Sequence, residues 1–554
     1  MKTSLSFNKI ILSLFICAIF IINFPSSIYG EDSLEDFFIS SQPSMYDYLE
    51  HCYQPTCTYV DSTQYMIYEM SFKNYYPVSD DNFIYLFEIA SFQNEEDLSD
   101  LQPIRRAFKN DEIFFAFPYV EKHLFTRFVP AILINGQYVS IYHGQYISNP
   151  EALAKNTSPY PEIESKKGIL LDANTIGDDK FYDLNCKRIV YNIPLSFIVG
   201  ESDNDECPTI DFDYDGKTYH FNGYLCAGFD DLFSKMTAEG YYSTAIILND
   251  WNKKNLELIH PLARRKTGLS MFYAMNTEEE EGVRLLEATA LFLAKRYSSG
   301  QYGMVHDWVI ANEVNQQRIW NYMSTGDLDY YTESFEKSFR TFYNAIKSTY
   351  SNANVYYSID HDWNNNHGNN YDHFNGKDFV NTFNDYASTH GNYNWGLSIH
   401  PYPQPLPRVK FWTNKFEDKA NAVVITPMNL STLTDAMQDD RLLDTNGDVR
   451  QIAITELGFS SKAGEKLQAA AFAYCYYIIE DNKYINSFLL NRQTDDTAAL
   501  KSGLALGIYN NDYSEKLLHD VFKNIDSPEG AAYIDEMLEI IGADSLEEAL
   551  SWAR

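Results

Sequence analysis

The feature that most constrains the fold is an alternation of apolar, strand-like runs with helical stretches from about residue 168 onward. The eight runs cover residues 168–172, 188–192, 243–249, 307–312, 354–360, 395–400, 451–456 and 485–491. Helical periodicity lies between them, most clearly over residues 279–297 and 468–479. Strands that alternate with helices are typical of parallel βα units. Eight such units predict an α/β fold, a (β/α)8 TIM barrel.

The region before the barrel has a different pattern. Residues 83–89 and 131–139 are strand-like, Asn135-Gly136 is typical of a tight hairpin turn, and long helical periodicity is scarce. We therefore predict a small β-rich, sandwich-like domain over residues 31–160, then the barrel over residues 161–526. For residues 527–554 we predict a tail of short acidic helices.

The first 30 residues have the pattern of a signal peptide. Lys2 and Lys9 precede an apolar run over residues 10–24, and Gly30 is a plausible last residue before cleavage. The run is short for a spanning helix, and no second run of that kind follows, so no other membrane segment is expected. The pattern predicts a secreted or cell-surface protein, with an uncleaved anchor as the alternative.

The formal charge of the chain is −34, which argues against nucleic acid as a partner because a nucleic-acid binder needs a basic surface. Six cysteines follow the predicted signal peptide, and an exported chain favours disulfides. Cys207 and Cys226 bracket an alternating segment around Asp215-Gly216 that predicts a hairpin, and we expect them to be bonded. Cys475 is expected to be a buried free thiol.

Two carboxylates end apolar runs: Glu313 follows the fourth run in Asn312-Glu313, and Glu456 ends the seventh in Thr455-Glu456. Active sites of TIM barrels form at the carboxyl ends of the strands, so these two acids are predicted to face each other across the barrel mouth. A pair of carboxyl groups about 5–6 Å apart is the arrangement with which retaining enzymes cleave a glycosidic bond.

Further polar and aromatic residues follow the other runs. Sugars offer hydroxyl groups to polar side chains and apolar faces to aromatic rings, so an oligo- or polysaccharide is the predicted partner. For each residue taken singly, a loop contact or core packing is the alternative. The candidate substrate-binding residues are Asn192, Asn249, Asp250, Trp251, Asn312, Asn315, Trp363, His400, Tyr402 and Arg492.

A group of histidines and aspartates after the fifth run contains side chains that can bind a metal ion. The group consists of His361, His367, His373, Asp360, Asp362 and Asp372. The spacing of these residues matches no compact ligand motif, and the Asn-rich stretch between them favours a loop. The sequence therefore predicts neither a metal nor a cofactor.

The two carboxylate motifs resemble the retaining glycoside hydrolases of clan A. By that resemblance Glu313 is the general acid/base, Glu456 is the nucleophile, Asn312 bonds the sugar 2-hydroxyl, and His400 or Tyr402 contacts the nucleophile. More closely, residues 170–526 resemble a family of secreted bacterial barrels classed as a domain of unknown function. The similar strings are residues 190–194, 310–315, 320–323, 342–347 and 400–403.

One departure from clan A stands at the eighth run, where a tryptophan that stacks on the sugar is common and this chain has Asn491-Arg492-Gln493. The combined prediction is a secreted retaining glycoside hydrolase of β-linked glycans. A catalytically silent carbohydrate-binding or surface protein on the same scaffold is the alternative, and a metal-dependent barrel hydrolase is the third. Sugar, linkage and oligomeric state stay open.

Overall fold

A computed structural model describes residues 43–73, 75–414 and 421–554, and residues 44–554 form one compact unit. The predicted signal peptide lies outside the described residues. Within the described ranges, no helix combines the length and the apolar character needed to cross a membrane.

Among the described residues, seven strands precede the barrel and form two antiparallel sheets, ordered β1-β2-β5 and β4-β3-β6-β7. Asn135 and Gly136 form the predicted tight turn between β6 and β7, both with positive φ. Side chains from both sheets, among them Tyr68, Phe115 and Ile84, are buried in one apolar cluster. The strands are β1 (Thr56–Val60), β2 (Tyr65–Ser71), β3 (Phe83–Ile89), β4 (Arg105–Phe108), β5 (Glu112–Pro118), β6 (Arg127–Ile134) and β7 (Gln137–Ser140).

Eight parallel strands then close into a barrel, which confirms the predicted fold class. Around the barrel the order is β12-β13-β14-β15-β16-β17-β8-β9, and each strand coincides with one of the eight apolar runs. A separate hairpin, β10 and β11, is inserted after β9. The strands are β8 (Lys167–Leu170), β9 (Arg188–Pro194), β10 (Ile210–Tyr214), β11 (Lys217–Phe221), β12 (Tyr242–Leu248), β13 (Val305–Ile310), β14 (Asn354–Ile359), β15 (Gly396–Ile399), β16 (Ile452–Leu457) and β17 (Ile485–Leu490).

The barrel strands are apolar on both faces because each face is covered. Val190, Ile246, Val309 and Leu489 come from four strands and belong to one small buried cluster, while all six residues of β13 are buried. Strands buried on both faces appear in sequence as continuous apolar runs, which is why pattern alone located them.

Helices alternate with the barrel strands and continue after the last strand. The last of them docks on α9, where the Tyr474 hydroxyl donates to the Ala549 carbonyl oxygen at 2.6 Å. The helices are α1 (Asp179–Tyr182), α2 (Leu195–Ile198), α3 (Gly223–Ala238), α4 (Glu280–Tyr297), α5 (Gln317–Trp320), α6 (Leu328–Lys347), α7 (Gly376–Thr389), α8 (Leu430–Ala436), α9 (Glu465–Asp481), α10 (Thr497–Lys501), α11 (Leu518–Asn524), α12 (Ala532–Ile541) and α13 (Leu546–Ala553).

A buried arginine connects the β-rich region with the barrel helices. Arg340 of α6 pairs with Glu336 at 2.7 Å, and both side chains are buried. The guanidinium lies over the rings of Tyr146, from the region before the barrel, and Tyr393, which precedes β15. It also donates to the carbonyl oxygen of Gly391 at 2.8 Å. One charged side chain therefore links three segments of the chain.

The expected disulfide is wrong, although the hairpin that it was to clamp is present. β10 and β11 pair from Ile210 opposite Phe221, with the turn at Asp215-Gly216. Asn222 then caps α3, so Cys226 lies buried on the first turns of a helix rather than at the hairpin base, while Cys207 stays half-buried in the preceding loop. All six cysteines of the described residues are free thiols, including the buried Cys475.

Candidate active site

Glu313, just beyond β13, and Glu456, in β16, meet at the barrel mouth. A carboxylate oxygen of Glu313, a ring nitrogen of His400 and a carboxylate oxygen of Glu456 all lie within 4.8 Å of one another. Carboxyl groups about 5–5.5 Å apart are typical of retaining glycosidases, whereas inverting enzymes separate them by about 6.5–9.5 Å. One oxygen of Glu313 and one of Glu456 lie at most 4.8 Å apart, which places the two carboxyl groups in one site.

The backbone that carries Glu313 is in a sparsely populated conformation. Ala311 has φ 65° and Glu313 has φ 40°, so two residues with side chains occupy the left-handed region. Each such residue costs roughly 1–3 kcal/mol unless its surroundings hold it there. Two hydrogen bonds to β14 do so: the Glu313 amide donates to Ser358 Oγ at 2.9 Å, and the Val314 amide donates to the Ser358 carbonyl oxygen at 2.9 Å.

The environment of Glu313 favours its protonated form. Only 12% of the side chain is exposed, and this burial raises the pKa of its carboxyl group. The negative charges of Asp360 and Glu456 raise it further. A hydrogen bond with His400 Nδ1 at 2.9 Å opposes the shift without cancelling it. A carboxyl group with a raised pKa is suited to donate a proton.

His400 links Glu313 to β16. Its Nδ1 faces Glu313, and its Nε2 lies 3.1 Å from the hydroxyl oxygen of Thr455, which in turn bonds Ser398. Complete burial lowers the pKa of His400, but the hydrogen bond with Glu313 and the negative charge of Glu456 outweigh this and raise the pKa. Because the pKa values of both groups are raised, the buried pair of Glu313 and His400 tends to hold a proton.

Glu456 has different partners. The Tyr402 hydroxyl donates to Glu456 Oε1 at 2.8 Å, and Asn491 Nδ2 donates to the same oxygen at 2.9 Å. Both bonds engage Oε1, so they fix the orientation of the carboxylate. Of the two residues expected at the nucleophile, Tyr402 contacts Glu456 and His400 contacts Glu313.

Four of the predicted substrate-binding residues are engaged by contacts within the protein. Asn249 is buried, and its amide nitrogen donates to the carbonyl oxygens of Leu258, Tyr273 and Ala274. Asp250 accepts hydrogen bonds from the amide and hydroxyl groups of Ser196. These contacts anchor the loops after β12 and β9.

The other two of the four are almost completely buried. Asn315 is fully buried, donates to Asp360 Oδ1 at 2.6 Å and accepts from the Asp360 amide at 2.9 Å. Trp363 is only 2% exposed and packs in the apolar core, so it offers no face on which a sugar ring could stack. Trp363 therefore packs in the core, which is the alternative to a stacking role.

Asn192 and Arg492 line a cavity of about 630 Å³ at the ends of β8, β9 and β17. Arg492 Nη1 lies 3.3 Å from a carboxylate oxygen of Asp496, another lining residue. Glu313 and Glu456 do not line this cavity, although Arg492 directly follows Asn491, which contacts Glu456. Its lining is rich in polar side chains, as a sugar site requires.

Asn312 and Trp251 are the last two predicted residues. Asn312 is buried directly beside Glu313 in the chain. Trp251 is half-buried after β12, with Lys266 Nζ 5.1 Å from its ring centroid. Its stacking role stays a prediction.

The sequence-based prediction missed Asn491 and Thr455 as site residues. Each carried a signal, because Asn491 ends the eighth apolar run and Thr455 directly precedes Glu456. Their roles depend on which strands are neighbours: Asn491 reaches Glu456 because β17 pairs with β16, and Thr455 reaches His400 because β16 pairs with β15.

Comparisons with solved structures find similar barrels. A family 39 glycoside hydrolase from Bacteroides cellulosilyticus WH2 is 13% identical, with 81% of this chain and 78% of that chain covered and a TM-score of 0.41. A psychrophilic family 10 endo-beta-1,4-xylanase is 13% identical, with 65% and 97% covered and a TM-score of 0.38. A family 1 beta-glucosidase from Thermotoga maritima is 10% identical, with 63% and 84% covered and a TM-score of 0.38.

No curated protein sequence matches the chain. The model of one protein family, described as "Family of unknown function (DUF5722)", matches residues 159–549, which include the whole barrel and both carboxylates. The chain therefore belongs to the DUF5722 family.

Proposed function

We propose that the protein is a secreted glycoside hydrolase that cleaves β-linked glycans with retention of configuration. The observation that carries this proposal is the pair of carboxylate oxygens of Glu313 and Glu456, at most 4.8 Å apart at the carboxyl ends of barrel strands. The different partners of the two carboxylates support different roles for them.

In the first step the Glu456 carboxylate attacks the anomeric carbon, and the glycosidic bond breaks. Glu313 donates its proton to the departing oxygen, for which its raised pKa suits it. The product is a glycosyl ester on Glu456 and a free alcohol. The donors from Tyr402 and Asn491 keep the attacking carboxylate oriented.

In the second step water replaces the sugar on Glu456. Esterification removes the negative charge of Glu456, which is one of the causes of the raised pKa of Glu313. Glu313 can then take a proton from water, whose oxygen attacks the anomeric carbon and releases Glu456. The same carboxyl group thus serves as acid and then as base, and two inversions give retention.

A panel of glycans and activated aryl β-glycosides tests the proposal. Wild-type protein should release sugar from at least one substrate, and Glu456→Ala should not. Glu539→Gln, an exposed residue of α12, is the control and should be as active as wild type. If Glu456→Ala keeps wild-type turnover, the proposal is wrong.

The alternative, a catalytically silent carbohydrate-binding protein, predicts a different outcome. Wild type would then bind a glycan in the same panel without cleaving it, and Glu456→Ala would change affinity alone. A metal-dependent hydrolase would lose all turnover on dialysis against a chelator and regain it with the metal ion.

A further inference from the structure

The loop between β14 and α7 folds back on itself and brings three of its own side chains together. Asp362, His367 and His373 lie in the Asn-rich stretch that the sequence alone favoured as a simple loop. The stretch turns back at His367, which has φ 53°, and at Gly368, which has φ 72°. Because of this turn, His367 and His373 approach Asp362 together, and the rings of the two histidines lie with their centroids 4.9 Å apart.

The ligand atoms of the three residues lie close together. One ligand atom from each lies within 4.8 Å of the other two. Asp362 Oδ2 is 2.7 Å from His367 Nε2 and 3.6 Å from His373 Nε2. Ligands of a tetrahedral zinc ion, at about 2.0–2.2 Å from the metal, lie roughly 3.4 Å from one another. His373 already has this spacing, and His367, which is 55% exposed, would need to move back by less than about 1 Å.

Asp362 is oriented as a ligand would be. Its side chain is 3% exposed, its Oδ1 accepts from Asn365 Nδ2 at 2.9 Å, and its amide donates to Asp360 Oδ1 at 2.9 Å. Hydrogen bonds that hold the second oxygen of a ligating carboxylate are the usual outer-shell support of a metal site. Oδ2 is thereby left facing the two histidines.

The charge balance calls for a cation. Asp360 and Asp362 are both buried, and the ion pairs given by these carboxylates in the described part of the chain are with His361, His367 and His373. Histidine carries a charge only when it is protonated. Two buried carboxylates that depend on histidines are costly unless a proton or a metal ion compensates them.

We propose that Asp362, His367 and His373 form a binding site for one divalent transition-metal ion, for which zinc best fits the two imidazoles and one carboxylate. The exposed side of His367 leaves a further coordination position open to water. The ion would fix the loop through Asp362 and Asp360, and Asp360 in turn holds Asn315, two residues after Glu313. The site is independent of the proposed hydrolase chemistry.

Metal binding to the full chain tests this directly. Protein dialysed free of metal should bind one Zn²⁺ per chain by calorimetry, and Co²⁺ in its place should give the visible absorption of a tetrahedral site. Zinc should raise the melting temperature, since it binds the folded state. Asp362→Asn and His367→Ala should each weaken binding by more than the roughly 10–100-fold that loss of an outer-shell partner costs.

Two controls separate the site from its surroundings. His361 Nε2 is 3.8 Å from Asp362 Oδ2 but lies outside the convergent trio, so His361→Ala should bind zinc like wild type. Glu456→Ala should also bind zinc normally, so failure of the hydrolase proposal would leave this one intact. If wild type binds no stoichiometric metal ion, or if Asp362→Asn binds as tightly as wild type, the trio is a hydrogen-bonded cluster with a protonated histidine and the proposal is wrong.

Discussion

Glu313 and Glu456 are the same side chain in two environments, and their partners separate their roles. Burial and the negative charges of two other carboxylates raise the pKa of Glu313, and the neighbouring His400 only partly opposes this shift. Glu456 is half-buried and is held through one oxygen by the neutral donors Tyr402 and Asn491. Carboxylates whose surroundings differ in this way are how acid and nucleophile are assigned in one site.

His400 should set the alkaline limit of activity. The hydrogen bond and the charge of His400 lower the pKa of Glu313 relative to burial alone. His400→Gln removes that charge, so the pKa of Glu313 should rise. Because the acid must be protonated, activity falls as pH rises through this pKa, and the alkaline limb of kcat/KM should move to higher pH.

The pH profile of kcat/KM for His400→Gln is compared with that of wild type and of His220→Gln, an exposed residue of the hairpin. A limb that stays in place or moves to lower pH would show that His400 does not control the protonation of Glu313.

At the level of single residues, the sequence predicted the side chains that end buried strands, Glu313 and Glu456, because chain position alone puts them at the mouth. The sequence could not distinguish residues that are available to a substrate from residues that hold the fold together. Asn315 and Trp363 are a polar and an aromatic residue near strand ends, as a sugar site needs. Asn315, however, donates a hydrogen bond to Asp360, and Trp363 packs in the core. The direction of a side chain after a strand end decides between these two roles. The backbone of a loop has no periodic pattern from which that direction could be predicted.

The turn that carries Glu313 has two residues with side chains, Ala311 and Glu313, in the left-handed region. Ala311 is buried with φ 65°, where a β-branched side chain is a severe outlier. Ala311→Val should lower the free energy of unfolding by roughly 1–3 kcal/mol and reduce activity with it. Ala311→Gly should change stability by less than about 1 kcal/mol, because relief of strain is offset by the greater entropy of the unfolded chain.

Urea unfolding of the two variants measures the difference. Equal stability of Ala311→Val and Ala311→Gly would mean that the turn does not hold this conformation in solution.

The barrel strands were predictable as elements because parallel strands buried on both faces leave an unbroken apolar run. The sequence did not reveal that Cys207 and Cys226 stay unbonded, because the alternation stops at Phe221 and a helix begins at Gly223. That helix carries Cys226 away from the base of the hairpin. The proximity of Asp362, His367 and His373 was missed for a related reason, since the left-handed backbone at His367 and Gly368 folds the loop back on itself.

In the whole molecule, Arg340 joins the β-rich region to the barrel. Arg340→Met should destabilise the fold by roughly 3–5 kcal/mol, because Glu336 would stay buried without its guanidinium partner. The double variant Arg340→Met/Glu336→Leu removes both charges and should recover most of that loss. Denaturant unfolding measures both. A single variant as stable as wild type would show that the pair does not hold these segments together.

The most direct test of the paired carboxylates is the configuration of the product formed with azide by two alanine variants, followed by NMR on an activated aryl β-glycoside. Glu313→Ala should still form the glycosyl ester and stall, and azide should then release a glycosyl azide of retained configuration. Glu456→Ala should use azide in place of the lost nucleophile and give the inverted product. If both variants hydrolyse the substrate as fast as wild type, the two glutamates do not carry the chemistry.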